Sequence, residues 1–285
     1  MKISSSAAVS TNLLGTNKTR QTILASRKGV LFAALIAIGS SSTLVQAQSI
    51  NSNASVIRFV PPAPPSTPVI ISGRRQGGAS RGNCSVTDKP LTALVPAVRK
   101  SLKEKPGRNP ALSSYESVWG LTTTSSPTFW FYLPYSFNLP LIFVLQDEQG
   151  NNLHKISLTN DQTQSGIIKV KLPEKIVKLE VNKKYRWFLV VDCEQDAPPE
   201  VQGWVQRVSV APALKSQLHK ATPQQLVQLY AVNGIWYDAL TSLADLRSAN
   251  PKDAKLFADW VSLLSSVGLE AFANEPINLC CNSKK

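Results

Sequence analysis

Apolar residues recur with two different periods along this chain of 285 residues, and the period changes at Pro212. Before Pro212, short runs such as residues 167–173 place an apolar side chain at every second position. That period is typical of strands with one buried face, whereas spacings of three and four are typical of amphipathic helices. Because the second spacing dominates after Pro212, the sequence predicts an α+β protein in which a β-rich body precedes a helical segment.

Residues 111–211 predict an antiparallel β-sandwich of the immunoglobulin-like class. Short apolar runs are separated by turn signals roughly every 8–12 residues, a spacing typical of sandwiches. The run 185–193 is apolar on both faces, which predicts a central strand. Tyr185 enters that strand as the tyrosine corner of immunoglobulin-like folds does, but the Cys-Trp-Cys spacing of true immunoglobulin domains is missing.

Residues 212–285 predict a helical segment. Thr222, Pro223 and Gln225 supply an N-cap hydroxyl, a proline in the first turn and the glutamine of a capping box. This helix is expected to end at Gly234. Two further helices are predicted at about 235–249 and 252–267.

The helical segment also contains an internal echo. Leu226, Tyr230 and Gly234 are followed 34 positions later by Trp260, Leu264 and Gly268. This spacing resembles the tetratricopeptide repeat, whose period is about 34 residues, although Val227 and Val261 stand where that repeat usually has glycine. Since about three repeats are needed for a stable array, we expect this tetratricopeptide-like segment to pack on the sandwich.

Residues 1–47 have the pattern of a secretory signal peptide. Basic residues precede the apolar run 29–38, and small residues at Val45 and Ala47 predict cleavage after Ala47. The run is shorter than the ~20 residues that span a bilayer. We therefore predict export to the periplasm, outer envelope or exterior, with no transmembrane segment in the mature chain.

Residues 48–110 have the composition of a mostly flexible basic linker. Residues 60–68 are rich in proline, residues 73–84 in glycine and arginine, and residues 89–96 are apolar enough to dock on a neighbouring surface. The glycine-rich stretch lacks the Lys-Ser/Thr pair of a Walker loop and a helix behind it, so we predict no phosphate site there.

Positive charge is concentrated in this linker. The whole chain carries a net +13, and once residues 1–47 are set aside the linker carries +8 while residues 111–285 are neutral. An exported basic segment favours an anionic envelope polysaccharide or lipid, or an envelope protein, over nucleic acid. The alternative is a solvated linker that binds nothing specific. The candidate residues for binding an anionic surface are Arg74, Arg75, Arg81, Arg99, Lys100, Lys103, Lys105 and Arg108.

The mature chain retains four cysteines, and an oxidising compartment favours their pairing. They are Cys84, Cys193, Cys280 and Cys281. A bridge between the adjacent pair would be strained, so we expect Cys193 to be bridged either to Cys84 or to one of the C-terminal pair. No C-x-x-C pair is present for zinc.

No residue pattern predicts a catalytic centre, a cofactor or a metal. The two histidines, His154 and His219, occur in no H-E-x-x-H motif, and no G-x-S-x-G elbow is present. Four acidic residues surround Cys193, but the glycine of a calcium loop is absent, so a solvated loop is the better interpretation. They are Asp192, Glu194, Asp196 and Glu200.

The aromatic residues allow two interpretations. Those of the β region could stack on sugars, but core packing is the favoured interpretation for Trp119, Phe129, Trp130, Tyr132, Trp187 and Trp204. At the start of the second predicted helix, Trp236 and Tyr237 are candidates for binding a partner, or else they pin the helices to the sheet.

The order of these features resembles a cyanobacterial family known as domain of unknown function 928. The resemblance rests on "LTALVP", "PTFWFYLPYS", "FVLQDEQGN", "YRWFLVVDC", "GWVQRV" and "LYAVNGIWYDALTSLADLR", and extends from about Arg74 to Cys280. It implies an exported envelope protein and offers no activity or cofactor. We therefore predict a non-enzymatic binding module, with the basic segment facing anionic envelope material and the helical tail facing a protein partner. The alternatives are an envelope polysaccharide hydrolase or transferase, and a structural surface component.

Overall fold

The alternating runs of the β region form two sheets in the computed structural model. The structure describes residues 56–62, 71–78, 84, 87–101, 114–135, 139–159, 165–193, 198–278 and 282–283. The strands are β1 (Thr92–Ala93), β2 (Ala97–Ser101), β3 (Ser114–Thr122), β4 (Thr128–Leu133), β5 (Pro140–Gln146), β6 (Asn152–Thr159), β7 (Gly166–Lys171), β8 (Lys184–Val191), β9 (Glu200–Arg207) and β10 (Asn282–Ser283).

The smaller sheet has the order β1-β4-β7, and the larger sheet has the order β10-β6-β5-β8-β9-β3-β2. The predicted central position of β8 is confirmed, since it lies between β5 and β9. The prediction of purely antiparallel pairing is wrong at β3 and β9, which run parallel. Parallel neighbours need a long crossover connection. Here the chain from β4 to β8 forms it, and β4 and β7 within it belong to the smaller sheet.

Aromatic side chains fill the space between the two sheets. Phe129 on β4 lies 5.0 Å from Phe143 on β5, and Phe131 lies 5.6 Å from Trp187 on β8, measured between ring centroids. The other face of β4 is covered by the helical layer, where the indole of Trp130 donates to the Thr241 hydroxyl over 3.0 Å. Burial on both faces accounts for the continuous apolar character of β4.

The favoured core role of the aromatic group holds for four of its six members. Phe129, Trp130, Tyr132 and Trp187 are buried. The remaining two, Trp119 and Trp204, are half-buried.

The described part of residues 48–110 belongs to the folded body. This agrees with the docking expected of residues 89–96 and differs from the flexible linker expected of the other residues described there. Ile57, Phe59 and Ile71 are buried, and β1 and β2 are strands of the two sheets. Composition alone misses this because the apolar residues are scattered among prolines, glycines and charges, and they become a core only when neighbouring elements cover them.

The glycine-arginine stretch is wedged into the larger sheet between β3 and β9. The Gly73 amide donates to the Glu116 carbonyl over 2.8 Å, and Arg74 exchanges two backbone hydrogen bonds with Gln202, each 2.9 Å long. A Cβ on Gly73 would lie 2.7 Å from both the Gln202 carbonyl oxygen and the Val118 Cβ. The glycine is therefore required by close approach of two backbones.

The helices are α1 (Pro212–Lys220), α2 (Pro223–Val232), α3 (Trp236–Ala249) and α4 (Ala254–Ser265), followed by a 3₁₀ turn at Glu270–Phe272. The predicted capping box of α2 is confirmed, because Thr222 and Gln225 each accept a hydrogen bond from the other's backbone amide. Gly234 and Gly268 both have left-handed backbones, with φ of 73° and 68°. Within the described residues, none of these helices combines the length and the apolar character that a membrane span needs.

Candidate functional site

The structure separates the predicted basic residues into two places. Arg74 is exposed on the wedged stretch, whereas Arg99 and Lys100 lie on β2. The other four candidates, Arg81, Lys103, Lys105 and Arg108, lie outside the described residues.

Arg75 has a structural role. Its amide donates to a Glu116 carboxylate oxygen over 2.9 Å, and its Nη1 donates to the Val267 carbonyl, just after α4, over 2.8 Å. Burial lowers the pKa of this guanidinium, and the carboxylates of Glu116 and Glu270 oppose that shift. Since these contacts occupy the side chain, Arg75 is a poor candidate for binding an external anion.

The outer edge of β2 is unpaired among the described residues, since β2 is the terminal strand of the larger sheet. The antiparallel register sets Val98 opposite Ser117, and the Pro96 carbonyl accepts the Trp119 amide over 3.3 Å. Inward and outward backbone groups alternate in such a pair. Ala97 and Arg99 therefore direct their N–H and C=O groups away from β3, where an additional strand could pair with them.

An apolar groove of about 430 Å³ lies beside this edge. We call it the edge groove. It is lined by Phe59, Pro61, Pro62, Pro96, Ala97, Val98, Lys100, Ser117, Trp119, Ser266 and Val267. Among these, Val98 leaves about half of its surface exposed, at 54%.

The floor of the edge groove holds a polar atom that the fold leaves unsatisfied. The Ser117 side chain is 1% exposed, and its hydroxyl has no hydrogen-bond partner in the described structure. Buried hydroxyls normally have a partner. An apolar groove with one unsatisfied hydroxyl, next to an open strand edge and two cations, has the features of a site for an extended segment.

The structure buries Trp236 and Tyr237, so their assignment as partner-binding residues is wrong. They are 0% and 2% exposed. The Trp236 indole donates to the Leu94 carbonyl over 2.8 Å, and the Tyr237 hydroxyl accepts from the Trp187 indole over 2.8 Å. Two large side chains at the start of a helix find burial against the sheets, which is the alternative that the sequence left open.

Cys84 and Cys193 form a disulfide. This is one of the two kinds of pairing expected for Cys193, and it ties the N-terminal part of the body to the residue that follows β8. Cys280 and Cys281 lie outside the described residues.

The residues considered for metal or acid–base chemistry do not converge in the described structure. Asp192 is exposed and Glu200 is half-buried, while Glu194 and Asp196 lie outside the described residues. Among the residues described, no group of three or more histidine, cysteine or acidic side chains is placed to hold a metal ion. His154 lies on β6, where burial lowers its pKa, and His219 is exposed on α1.

Sequence reasoning missed the edge groove and the open edge of β2. The run Ala97–Ser101 contains no alternation of apolar and polar residues, and it was assigned to the linker because of its cations. The only local signal was Pro96, since proline is tolerated where a strand begins.

Comparison with known families places most of this body in one family model. The model described as Domain of Unknown Function (DUF928) matches residues 76–277, which include both sheets' main strands and all four helices. The comparison with curated proteins found no match.

Proposed function

The chain belongs to the DUF928 family, and we propose that it is a non-enzymatic binding module of the cell envelope. The observation that carries this proposal is the open edge of β2 beside the edge groove, with Arg99 and Lys100 on the same strand. An open edge is normally protected, and basic residues are one common protection. Here one of these residues, Lys100, also lines an apolar groove, which mere protection does not require.

The ligand that fits this site best is an extended, acidic polypeptide segment of a partner protein. Residue 97 and Arg99 offer alternate backbone donors and acceptors, which another polypeptide backbone complements. Successive side chains of a strand point to opposite faces of the sheet. Acidic side chains on one face of the segment would lie near Arg99, and apolar side chains on the other face would enter the edge groove beside Lys100. Charge complementarity of this kind mainly raises the association rate and specificity.

An anionic polysaccharide or lipid remains the other class of partner that the basic residues predict. The strand edge favours a polypeptide over both, because a polysaccharide or a lipid head group lacks a row of alternating N–H and C=O groups at strand spacing. An anionic polymer without a peptide backbone is therefore a useful control ligand for binding at β2.

Export is the second part of the proposal. The Cys84–Cys193 disulfide supports an oxidising compartment, and the pattern of residues 1–47 predicts a signal peptide removed after Ala47. N-terminal sequencing of the protein from its native cells should begin at Gln48. A first residue of Met1 would contradict export by this route.

We also propose that α2, α3 and α4 form one and a half tetratricopeptide-like units, as the spacing of 34 residues in the helical segment predicts. The support is that Gly234 and Gly268, 34 positions apart, have the same left-handed backbone just after a helix. Ala239 on α3 is fully buried, as expected for a small residue where helices cross closely. Trp236, Tyr237 and Trp260 of these helices are buried, and we therefore propose β2 as the surface for a partner.

The binding proposal is tested with a fluorescent peptide that alternates glutamate and valine. The full mature chain should bind it, and affinity should fall with added salt because exposed charges are screened. Arg99→Glu with Lys100→Glu should weaken binding by about tenfold or more, which corresponds to about 1.4 kcal/mol. The matched control is Lys215→Glu with Lys220→Glu, which reverses two exposed charges on α1.

A second ligand separates strand pairing from charge alone. The same peptide with methyl groups on alternate backbone nitrogens keeps its charge but cannot donate to β2, so it should bind much more weakly. A sulfated polysaccharide of a length similar to the peptide, which carries negative charge but has no peptide backbone, should also bind weakly. Equal binding of the methylated and unmethylated peptides would overturn the proposal.

A further inference from the structure

A second pocket of about 350 Å³ lies between the smaller sheet and α3, and it shares no residue with the edge groove. We call it the hydroxyl pocket, because most of its lining side chains carry a hydroxyl group. These are Thr124, Ser126, Thr128, Tyr230, Tyr237, Thr241 and Ser242. Its volume falls within the range of about 300–1,000 Å³ typical of small-molecule sites.

One face of α3 supplies a polar stripe to this pocket. Asp238, Thr241, Ser242 and Asp245 all line it, and their spacing of three, one and three positions keeps them on one side of a helix with 3.6 residues per turn. The stripe interrupts the apolar surface that α3 otherwise buries, including Leu243. Two of these residues also serve the fold, since Thr241 accepts from the Trp130 indole and Asp238 accepts from the Thr122 hydroxyl. Ser242 and Asp245 are the members of the stripe that remain for a ligand.

Two ion pairs, each between a lysine and a carboxylate, lie at the pocket. Lys169 lies 3.5 Å from Asp245, and Lys171 lies 3.1 Å from Glu174. All four side chains are more than a third exposed, so they can rearrange toward a ligand. The lining holds two ammonium groups and three carboxylates, those of Glu174, Asp238 and Asp245, so the pocket offers strong donors and acceptors with only a small excess of negative charge, which disfavours an anionic ligand.

Asp238 holds the loop after β3 against α3, which gives the pocket a fixed wall. Its carboxylate accepts from the Thr122 hydroxyl over 2.6 Å, and from both the amide and the hydroxyl of Thr123. With these donors engaged, Asp238 positions the wall and is not free to act as an acid or base.

We propose that the hydroxyl pocket binds a neutral, polyhydroxylated ligand, a short unit of an uncharged glycan. The hydroxyls of Tyr237, Thr241 and Ser126 are engaged within the protein. Those of Thr128 and Ser242 remain, and each can both donate and accept a hydrogen bond, as can each hydroxyl of a sugar. Carboxylates and ammonium groups bind vicinal sugar hydroxyls through stronger, charge-assisted hydrogen bonds. Tyr230, which is half-buried at the pocket, adds an aromatic surface for the apolar face of a sugar ring.

The inference is independent of the proposed binding at β2, and it is tested with the full mature chain. Titration calorimetry is carried out with four neutral trisaccharides, those of glucose, galactose, mannose and N-acetylglucosamine. At least one should bind at millimolar concentration, and a charged trisaccharide of galacturonic acid should bind less tightly. Absence of binding by all four neutral sugars, or preference for the charged one, would overturn the inference.

Variants on α3 locate the site. Ser242→Trp fills the pocket and should weaken sugar binding by about tenfold or more, whereas Ser248→Trp, at an exposed position on the same helix, should leave it unchanged. If Ser242→Trp fails to fold, Asp245→Asn at an exposed position serves instead and should weaken binding several-fold. Unchanged affinity in a folded Ser242→Trp or in Asp245→Asn would place the sugar elsewhere and overturn the inference.

Discussion

The hydroxyl of Tyr237 joins three elements of the core. It accepts from the Trp187 indole on β8 over 2.8 Å and donates to the Trp204 carbonyl on β9 over 3.1 Å. Burial raises the pKa of Tyr237, so the neutral phenol is the form that the fold keeps. A buried polar group without its partner lowers the stability of the folded state. The Tyr237 hydroxyl therefore stabilises the fold by satisfying the buried Trp187 indole.

Tyr237→Phe should therefore destabilise the protein by about 1–3 kcal/mol, because it leaves an indole N–H buried without an acceptor. Urea unfolding should show a lower midpoint with an unchanged slope. The control is Tyr115→Phe, at a half-buried position on β3 for which the described structure gives no hydroxyl hydrogen bond. Equal midpoints for the Tyr237 variant and the parent would contradict the assigned role.

The raised pKa of Asp238 predicts that the free energy of unfolding depends on pH. Burial raises its pKa, and hydrogen bonds from Thr122 and Thr123 oppose that shift. Below the unfolded pKa of about 3.9 both states are protonated. As pH rises above that value the unfolded state releases its proton first, so the native state binds more protons and this group's contribution to stability falls until the native pKa is passed.

The free energy of unfolding of the parent minus that of Asp238→Asn should consequently decrease between about pH 3 and the native pKa. Comparing the two proteins cancels the titration of the other carboxylates, which they share. Urea unfolding of both proteins at closely spaced pH values measures this difference. A difference that stays constant, or that increases with pH, would contradict the raised pKa.

Residue types alone could not separate these roles in advance. Trp236 and Tyr237 stand in "NGIWYDAL", and an aromatic pair at the start of a helix is as suitable for a partner as for a core. One deciding feature is Gly120 on β3, more than a hundred positions earlier, whose missing side chain leaves room for the Tyr237 ring and the Trp236 Cβ. A sequence does not show which distant glycine faces which aromatic residue.

At the scale of elements, the contact between α3 and β3 depends on that glycine. A Cβ on Gly120 would lie 3.0 Å from a ring carbon of Tyr237 and 3.2 Å from the Trp236 Cβ. Both neighbours are fully packed, so the helix would have to shift away from the strand. The same helix forms one wall of the hydroxyl pocket, and a shift would also change that wall.

Gly120→Ala should destabilise the protein by about 1–3 kcal/mol through overpacking. Gly78→Ala is the matched control, since a Cβ there would meet nothing within 4 Å. At a position that tolerates it, such a change is neutral or slightly stabilising. Thermal unfolding of both variants checks the contrast, and similar melting temperatures would show that α3 is not seated tightly on β3.

Element types followed from the sequence more readily than element partners. The capping box of α2 depends on Thr222 and Gln225, three positions apart, so a local pattern was sufficient to predict it. The pairing of β3 with β9 is long-range and parallel, and no alternation of side chains indicates direction. The open edge of β2 could not be predicted for the same reason, because it depends on which other described strand pairs with β2, and only β3 does.

At the scale of the whole molecule, charge and burial have different boundaries. The charge excess ends near residue 110, which suggested a basic arm followed by a neutral body. Burial begins much earlier, since Ile57 and Phe59 belong to the hydrophobic core. The Ser262 hydroxyl donates to the Ile57 carbonyl over 2.7 Å, so the described N-terminal residues contact the last helix. Net charge reports what a segment presents to solvent, and a few apolar side chains are enough to fold it.

The Cys84–Cys193 disulfide joins these early residues to the end of the central strand β8, across a sequence separation of 109. Such a bridge restricts the unfolded chain over a long loop, so Cys84→Ser with Cys193→Ser should lower the free energy of unfolding by about 2–5 kcal/mol. Urea unfolding under non-reducing conditions measures the loss, and peptide mapping of the parent should recover the two cysteines in one linked fragment.

The matched variant for that measurement is Cys280→Ser with Cys281→Ser, which leaves the same two cysteines to pair. It should still yield the linked Cys84–Cys193 fragment, because both partners are buried in the core whether or not the C-terminal cysteines are present. Loss of that fragment, or its replacement by a fragment linking Cys193 to the C-terminal end in the parent, would mean that the early residues are not fixed to β8.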